Sequence, residues 1–292
     1  GGAPKDIIDL YTYTNATEST TVPSKMSALY MVLANARTSA FSEDTVEGRI
    51  FGGNDKLPKT FAKKLGTKVK YNRALKRLKF DSKGVTATLE ENGASQSIKA
   101  LKCVIAVPAS ILRTIDIQPG FSSDKTHCIQ NQDYGHAMKV AMQYRKRFWD
   151  EKGSIGQRVF TDTRLRRIYH FSIDQPGPRG ILLTFTSGED ARKLGRYNEE
   201  RRMMMAQKTC EDIWPESPQY WENGITKYWN EDPWVKASYS IAGVGQKGFR
   251  DILAKPEGPV YFAGEHTAFY RASMNGAIES GLRAKSELIQ TL

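Results

Sequence analysis

The segment Val260-Tyr-Phe-Ala-Gly-Glu265 constrains this chain more than any other stretch of it. Four successive apolar residues are too few for a buried helix and show no polar alternation, so they predict a strand covered on both faces. The strand runs straight into Gly264 and the carboxylate of Glu265. The carboxyl end of such a strand is where an α/β sheet presents groups to a ligand. After a short loop, SMNGAIESGLRAKSELIQ predicts a helix beginning near Met274, with Asn275 and Gly276 at its open end. Free N–H groups at that end favour negative charge. Ala277, Gly281, Ala284 and Leu288 are small or apolar at helical spacing and predict its buried face.

Upstream, Met26, Leu29, Tyr30, Leu33 and Ala34 predict a helix over Ser24–Ala40, and Leu57, Phe61 and Leu65 repeat the pattern around Pro58. KVKYN, ALKRLKFD, GVTATLEE and QSIKALKCVIAV then read as a strand meander separated by turn residues. From Ser122 the segments lengthen: HAMKVAMQYRKRFW, RRIYHFSI, RGILLTFTS and GITKYWN predict strands, and Asn198–Ile213 a helix stopped by Pro215. The late return of a buried strand makes the first domain discontinuous. The expected fold class is α/β with mixed α+β character. It divides into a helical region over 1–45, one domain assembled from 46–118 and 257–292, and a mixed-sheet domain over 119–256.

Charge and composition narrow the function classes. No run approaches the ~18 apolar residues of a membrane-spanning helix. The 43 Lys and Arg against 32 Asp and Glu give +11, concentrated between Lys56 and Lys79. The aromatics there are only Phe61 and Tyr71, so the run reads as a solvated face and no nucleic-acid partner is expected. Cys103, Cys128 and Cys210 lack CxxC spacing, and the four histidines are scattered, which predicts free thiols, no metal site and no thiol or serine nucleophile. Free thiols fit a reducing compartment. Gly243-Val-Gly-Gln-Lys-Gly248 matches GxGxxG formally. The segment before it is semi-polar, and only about eight residues precede Pro256, so a nucleotide loop is not expected.

Six ordered segments carry a resemblance: RIFGGNDKLPKTFAKKLG, KVKYNRALKRL, KCVIAVPASIL, YGHAMKVAMQYRKRFWDEKG, KYWNEDPWVKASYS and GPVYFAGEHTAFYRASMNGAIESGLRAKSEL. Together they resemble the flavin-containing amine oxidase superfamily, and the layout over FWDEKG to TSGEDA is most similar to its L-amino-acid oxidase branch. The resemblance implies a Rossmann-like FAD-binding domain, discontinuous and incomplete here, with a mixed-sheet substrate-binding domain. The first residues, GGAPKDIIDLYTY, hold neither an initiator Met nor the family's glycine-rich FAD loop, so the chain is expected to be the C-terminal part of a longer flavoenzyme.

The implied roles follow residue by residue. Gly264 and Glu265 would hold the ribityl or pyrophosphate part of FAD. Ala272, Ser273, Met274, Asn275, Gly276 and Ala277 would contact the flavin pyrimidine ring, Leu75 the adenine, and Trp229 would pack beside the flavin. Lys139 matches the lysine that holds a water at flavin N5 and handles O2. Tyr239 matches one aromatic wall of the substrate site, whereas the second wall falls on Ser273 and the carboxylate-binding tyrosine falls on Phe185. Ser238 stands where some members link flavin through cysteine, so FAD is expected to bind noncovalently. The implied activity is oxidative deamination of an L-amino acid to a 2-oxo acid, ammonia and H2O2, with the small-molecule substrate and O2 as partners and a homodimer as assembly. A monoamine or polyamine oxidase and a noncatalytic flavin-fold binding protein are the alternatives.

Overall fold

The computed structural model describes residues 2–30, 32, 48–151 and 158–291, so most of the helix expected over Ser24–Ala40 lies outside the described residues. The chain forms two compact units. One comprises Gly1–Lys25, Asp44–Asn54 and Gly135–Pro233; the other comprises Met26–Glu43, Asp55–Tyr134 and Trp234–Leu292.

The first unit holds helix α1 (Lys5–Ser19) and a five-stranded antiparallel sheet in the order β10-β6-β9-β8-β7. Its strands are β6 (Ala137–Tyr144), β7 (Arg158–Phe160), β8 (Arg167–His170), β9 (Gly180–Ser187) and β10 (Trp221–Tyr228). Alternation assigns the two faces. Met138, Val140 and Met142 of β6 join Ile168 and Leu182 in a core that also takes up Leu194 and Ala206. Those last two come from helices α5 (Gly188–Leu194) and α6 (Glu199–Ile213). Helix α6 starts where the sequence predicts, because the Asn198 side chain accepts the Arg201 N–H. The opposite sheet face carries Lys139, Phe185, Arg167 and Tyr169.

The second unit has a meander, β1 (Ala74–Asp81), β2 (Gly84–Glu91) and β3 (Ala94–Ala100), joined on its far edge by β5 (Asp116–Gln118). KVKYN is not a strand: helix α2 (Lys56–Leu65) ends in a 3-10 turn over Gly66–Lys68, and Asn72 has φ 58°, which breaks extended pairing. The two short apolar runs pair with each other as parallel strands, β4 (Cys103–Ile105) and β11 (Val260–Phe262). Residues 119–134 and 234–256, which the change of texture groups with the mixed-sheet region, pack in this unit. After the short helix α3 (Ala109–Leu112), helix α4 (Ser123–Asn131) supplies Cys128 and Ile129, and helix α7 (Phe249–Ala254) supplies Phe249 and Leu253, to the core around Leu78, Ile105, Val260 and Phe262.

Lys125 of α4 is fully buried there. Its ammonium donates to the carbonyls of Ile252, Leu253 and Lys255 at 2.7, 3.1 and 2.7 Å and lies 3.8 Å from the Phe262 ring centroid. Burial pulls its pKa down to about 8, against the attraction of Glu257. Between pH 8 and the ordinary 10.5 the unfolded chain therefore holds the proton more tightly, and stability rises with pH across that window. Lys125→Met is expected to flatten this rise, read from urea unfolding at pH 8 and 10; an unchanged slope would refute the assignment.

The final helix, α8 (Met274–Ile289), forms where expected but is turned relative to the predicted face. Gly276, Ser280 and Ala284 are buried, whereas Ala277 and Gly281 are exposed. The phase is set by Gly276: a Cβ there would lie 1.9 Å from the Tyr270 carbonyl oxygen, so this residue must face inward and must be glycine. Met274, Ile278, Leu282 and Ile289 consequently form an outward apolar ridge.

Candidate functional site

In the second unit, the turn after β11 is built around one carboxylate. Gly264 has φ 120°, and a Cβ would meet the His266 ring at 2.5 Å, so glycine is required on both counts. Its N–H donates to Ser280 Oγ of α8 at 2.9 Å, tying strand end to helix. Glu265 accepts three hydrogen bonds, from Ser240 N at 3.0 Å, Ser240 Oγ at 2.7 Å and Ala272 N at 2.8 Å. Ala272 has φ 58°, a left-handed conformation that the Glu265 bond helps to hold. Arg271 completes the network, donating to Ser240 Oγ, Gln132 Oε1 and the Ile241 carbonyl at 3.3, 3.0 and 3.4 Å. Burial lowers the pKa of its guanidinium, and Glu265 counters that pull.

Ser273 caps α8: its Oγ accepts the Gly276 N–H at 2.9 Å and donates to the Tyr270 carbonyl at 2.7 Å. The N–H groups of Met274 and Asn275 remain at the open end of a 16-residue helix, next to an apolar strand end. An anionic or carbonyl-rich planar group fits such an end. The carboxylate of Glu265 fits a positioning role best, since three of its roughly four acceptor sites are already filled from within the chain. Leu75 lies half-buried on β1 against the same core, and Tyr239 is half-buried next to Ser240.

The first unit brings together other predicted residues. The register that pairs Met138 with Thr186 and Ala141 with Leu183 sets Lys139 beside Phe185. Lys139 Nζ lies 4.5 Å from the Phe185 ring centroid and donates to Tyr169 Oη at 3.2 Å. Trp229 is half-buried just after β10, with Lys227 Nζ 5.1 Å from its ring. Sequence reasoning passed over Ser240, Gln132 and Arg271, whose partners are remote in the chain, and Arg167 and Tyr169. The alternation in RRIYHF is the signal that could have singled out the last two.

Other chemistries find no support among the described residues. Burial raises the pKa of the thiols of Cys103, Cys128 and Cys210, the last to about 12, which keeps them protonated. No group of three His, Cys, Asp or Glu side chains is placed to hold a metal. The GxGxxG segment follows no strand and opens only the six-residue α7. At least four of the ten Lys56–Lys79 cations are paired on the surface, Lys59 with Asp55, Arg73 with Glu91, Lys76 with Glu90 and Arg77 with Asp116. Among the described residues no helix is long and apolar enough to cross a membrane.

Comparison with known proteins bears on this geometry. The family model described as flavin containing amine oxidoreductase matches residues 10–289. The chain is 29% identical over 248 residues to the flavin-dependent L-tryptophan oxidase RebO of Lentzea aerocolonigenes, covering 81% of this chain and 51% of that protein. It is 28% identical over 246 residues to the L-amino-acid oxidase of Siganus canaliculatus, covering 82% and 47%. The chain thus spans about half the length of these curated relatives. Its fold is similar to that of cyclohexylamine oxidase from Brevibacterium oxydans IH-35A, with TM-score 0.84 and 18% identity over 99% of this chain and 65% of that one. Putrescine oxidase bound to putrescine gives TM-score 0.84 and 22% identity, over 98% and 66%. The α/β architecture with mixed sheets is the one the sequence predicts.

Proposed function

Because this chain belongs to the flavin-containing amine oxidoreductase family, we propose that it carries part of the flavin and substrate sites of an FAD-dependent oxidase that deaminates an L-amino acid. Family membership brings a flavin cofactor and oxidoreductase chemistry. The observation that carries the reading is the locked start of α8, where Glu265, Ser240 and Ser273 fix the loop so that the Met274 and Asn275 N–H groups stand open. FAD, when bound, supplies a two-electron acceptor that O2 re-oxidises to give H2O2, while the amino acid leaves as an imine that water converts to a 2-oxo acid and ammonia.

The chain's own groups have narrower tasks. The N–H groups of Met274 and Asn275, with Ala272, Ser273, Gly276 and Ala277 shaping the turn, stabilise negative charge at the helix end. Gly264 and Glu265 set the position of that end, and Leu75 offers an apolar contact to the adenine. In the first unit Trp229 and Phe185 offer aromatic surfaces that exclude water and Lys139 orients water or O2; in the second, Tyr239 offers another such surface. No residue forms a covalent link in this reading, so acid precipitation is expected to release the flavin. Flavin-loaded protein should release H2O2 with L-amino acids and not with the corresponding amines; turnover of amines alone would overturn the amino-acid assignment.

A further inference from the structure

The sheet of the first unit bears a row of three cations, of which the proposed reading gives a task only to Lys139. Lys227 pairs with Lys139 across β10 and β6, and Arg167 pairs with Phe185 across β8 and β9, so Lys227, Lys139, Phe185 and Arg167 fall in one line across four strands. Like charges directly opposite each other destabilise a sheet unless something negative answers them. Two of the three cations are answered: Lys227 by Asp232 at 2.6 Å, and Arg167 by Glu18 of α1. Lys139 has no carboxylate partner among the described residues, only the Tyr169 hydroxyl. Lys139 Nζ and Arg167 Cζ lie 4.5 and 5.2 Å from the same Phe185 ring centroid, which puts two positive charges around one apolar plate.

Arg167 is itself unusual. Its side chain is 14% exposed and its Nε is buried without a hydrogen-bond partner, while the Glu18 carboxylate that it holds is 61% exposed. A guanidinium with unused donors that already grips one loosely held carboxylate is built to grip another in its place. We propose that Arg167, acting with Lys139 across Phe185, recognises the substrate carboxylate and that Glu18 occupies the guanidinium until substrate displaces it. This inference rests on the oxidase reading and adds its specificity-determining residue. The same two cations repel a substrate that carries only an ammonium group, so they discriminate against amines as well as favouring amino acids.

The test uses the flavin-loaded protein with an L-amino acid, its decarboxylated amine, and benzoate as a carboxylate probe read by the shift in flavin absorption. Arg167→Met is expected to raise KM for the amino acid by roughly ten- to a hundredfold, the span of a charge-assisted hydrogen bond, with kcat changed far less. Benzoate affinity should fall in parallel, and Arg167→Lys should restore part of both. Glu18→Gln should lower KM for the amino acid, a direction that loss of a merely structural ion pair would not give. Unchanged benzoate affinity in Arg167→Met and Arg167→Lys, with KM shifts equal for amino acid and amine, would overturn the role of Arg167 and leave the oxidase reading standing. Turnover of the amine but of no amino acid by the unsubstituted protein would overturn both.

Discussion

Glu265→Ala is expected to cost about 4 kcal/mol of folding stability, because it strands two backbone donors, at Ser240 and Ala272, and removes the negative charge facing Arg271. Each unpaired buried group costs about 1–3 kcal/mol. The Ala272 backbone also loses one of the contacts that hold it at positive φ. For a chain of this size the melting temperature should fall by roughly 10 °C. Glu265→Gln keeps one acceptor oxygen but turns an amide NH2 toward a donor, so it should recover only part of the loss. Flavin affinity should fall with both variants, since the same bonds fix the first turn of α8. A loss below about 1 kcal/mol for Glu265→Ala would mean that the turn is held elsewhere.

Acidification should weaken the second unit through His266. This ring is buried, and burial, helped by the positive charges of Arg271, Lys125 and Arg283, lowers its pKa to about 4. The unfolded chain takes up the proton near the ordinary 6.5, so between pH 6.5 and 4 it binds more protons than the folded chain. The stabilisation is therefore complete above pH 6.5 and is lost as pH falls to about 4, a change of about 3 kcal/mol. His266→Gln, which has no titrating ring, should be less stable at pH 7 yet show a shallower acid slope. Denaturant titrations at pH 7, 5.5 and 4 read this, and parallel slopes for the two proteins would exclude His266 as the source.

Both predictions concern the turn after β11, and the sequence already marked it. An apolar run ending in glycine and an acid has few structural solutions, whereas the capping of the helix by Ser273 emerges only from the structure. The helix phase was not legible, because Gly276 and Ala277 are both small and composition alone does not say which one a carbonyl approaches. Nor were the partners of Glu265, since Ser240 lies 25 positions away and pairs with it only through the fold. In the first unit alternation placed Lys139 opposite Met138, Val140 and Met142, as found. The register of β8 on β9, which puts Arg167 across from Phe185, depends on long-range pairing that no local pattern encodes.

The pairing of β4 with β11 also governs the order of events during synthesis. Cys103 and Val260 are partners, yet more than 150 residues separate them. At cellular elongation rates β4 waits on the order of ten seconds for β11 to leave the ribosome. Throughout that interval the meander beside β4 can fold locally, while the edge of β4 that takes up β11 stays open. The whole first-unit sheet is translated inside this delay. The turn that carries Glu265 thus cannot be completed until β11 has emerged, and the apolar edge of β4 that receives β11 stays open until then.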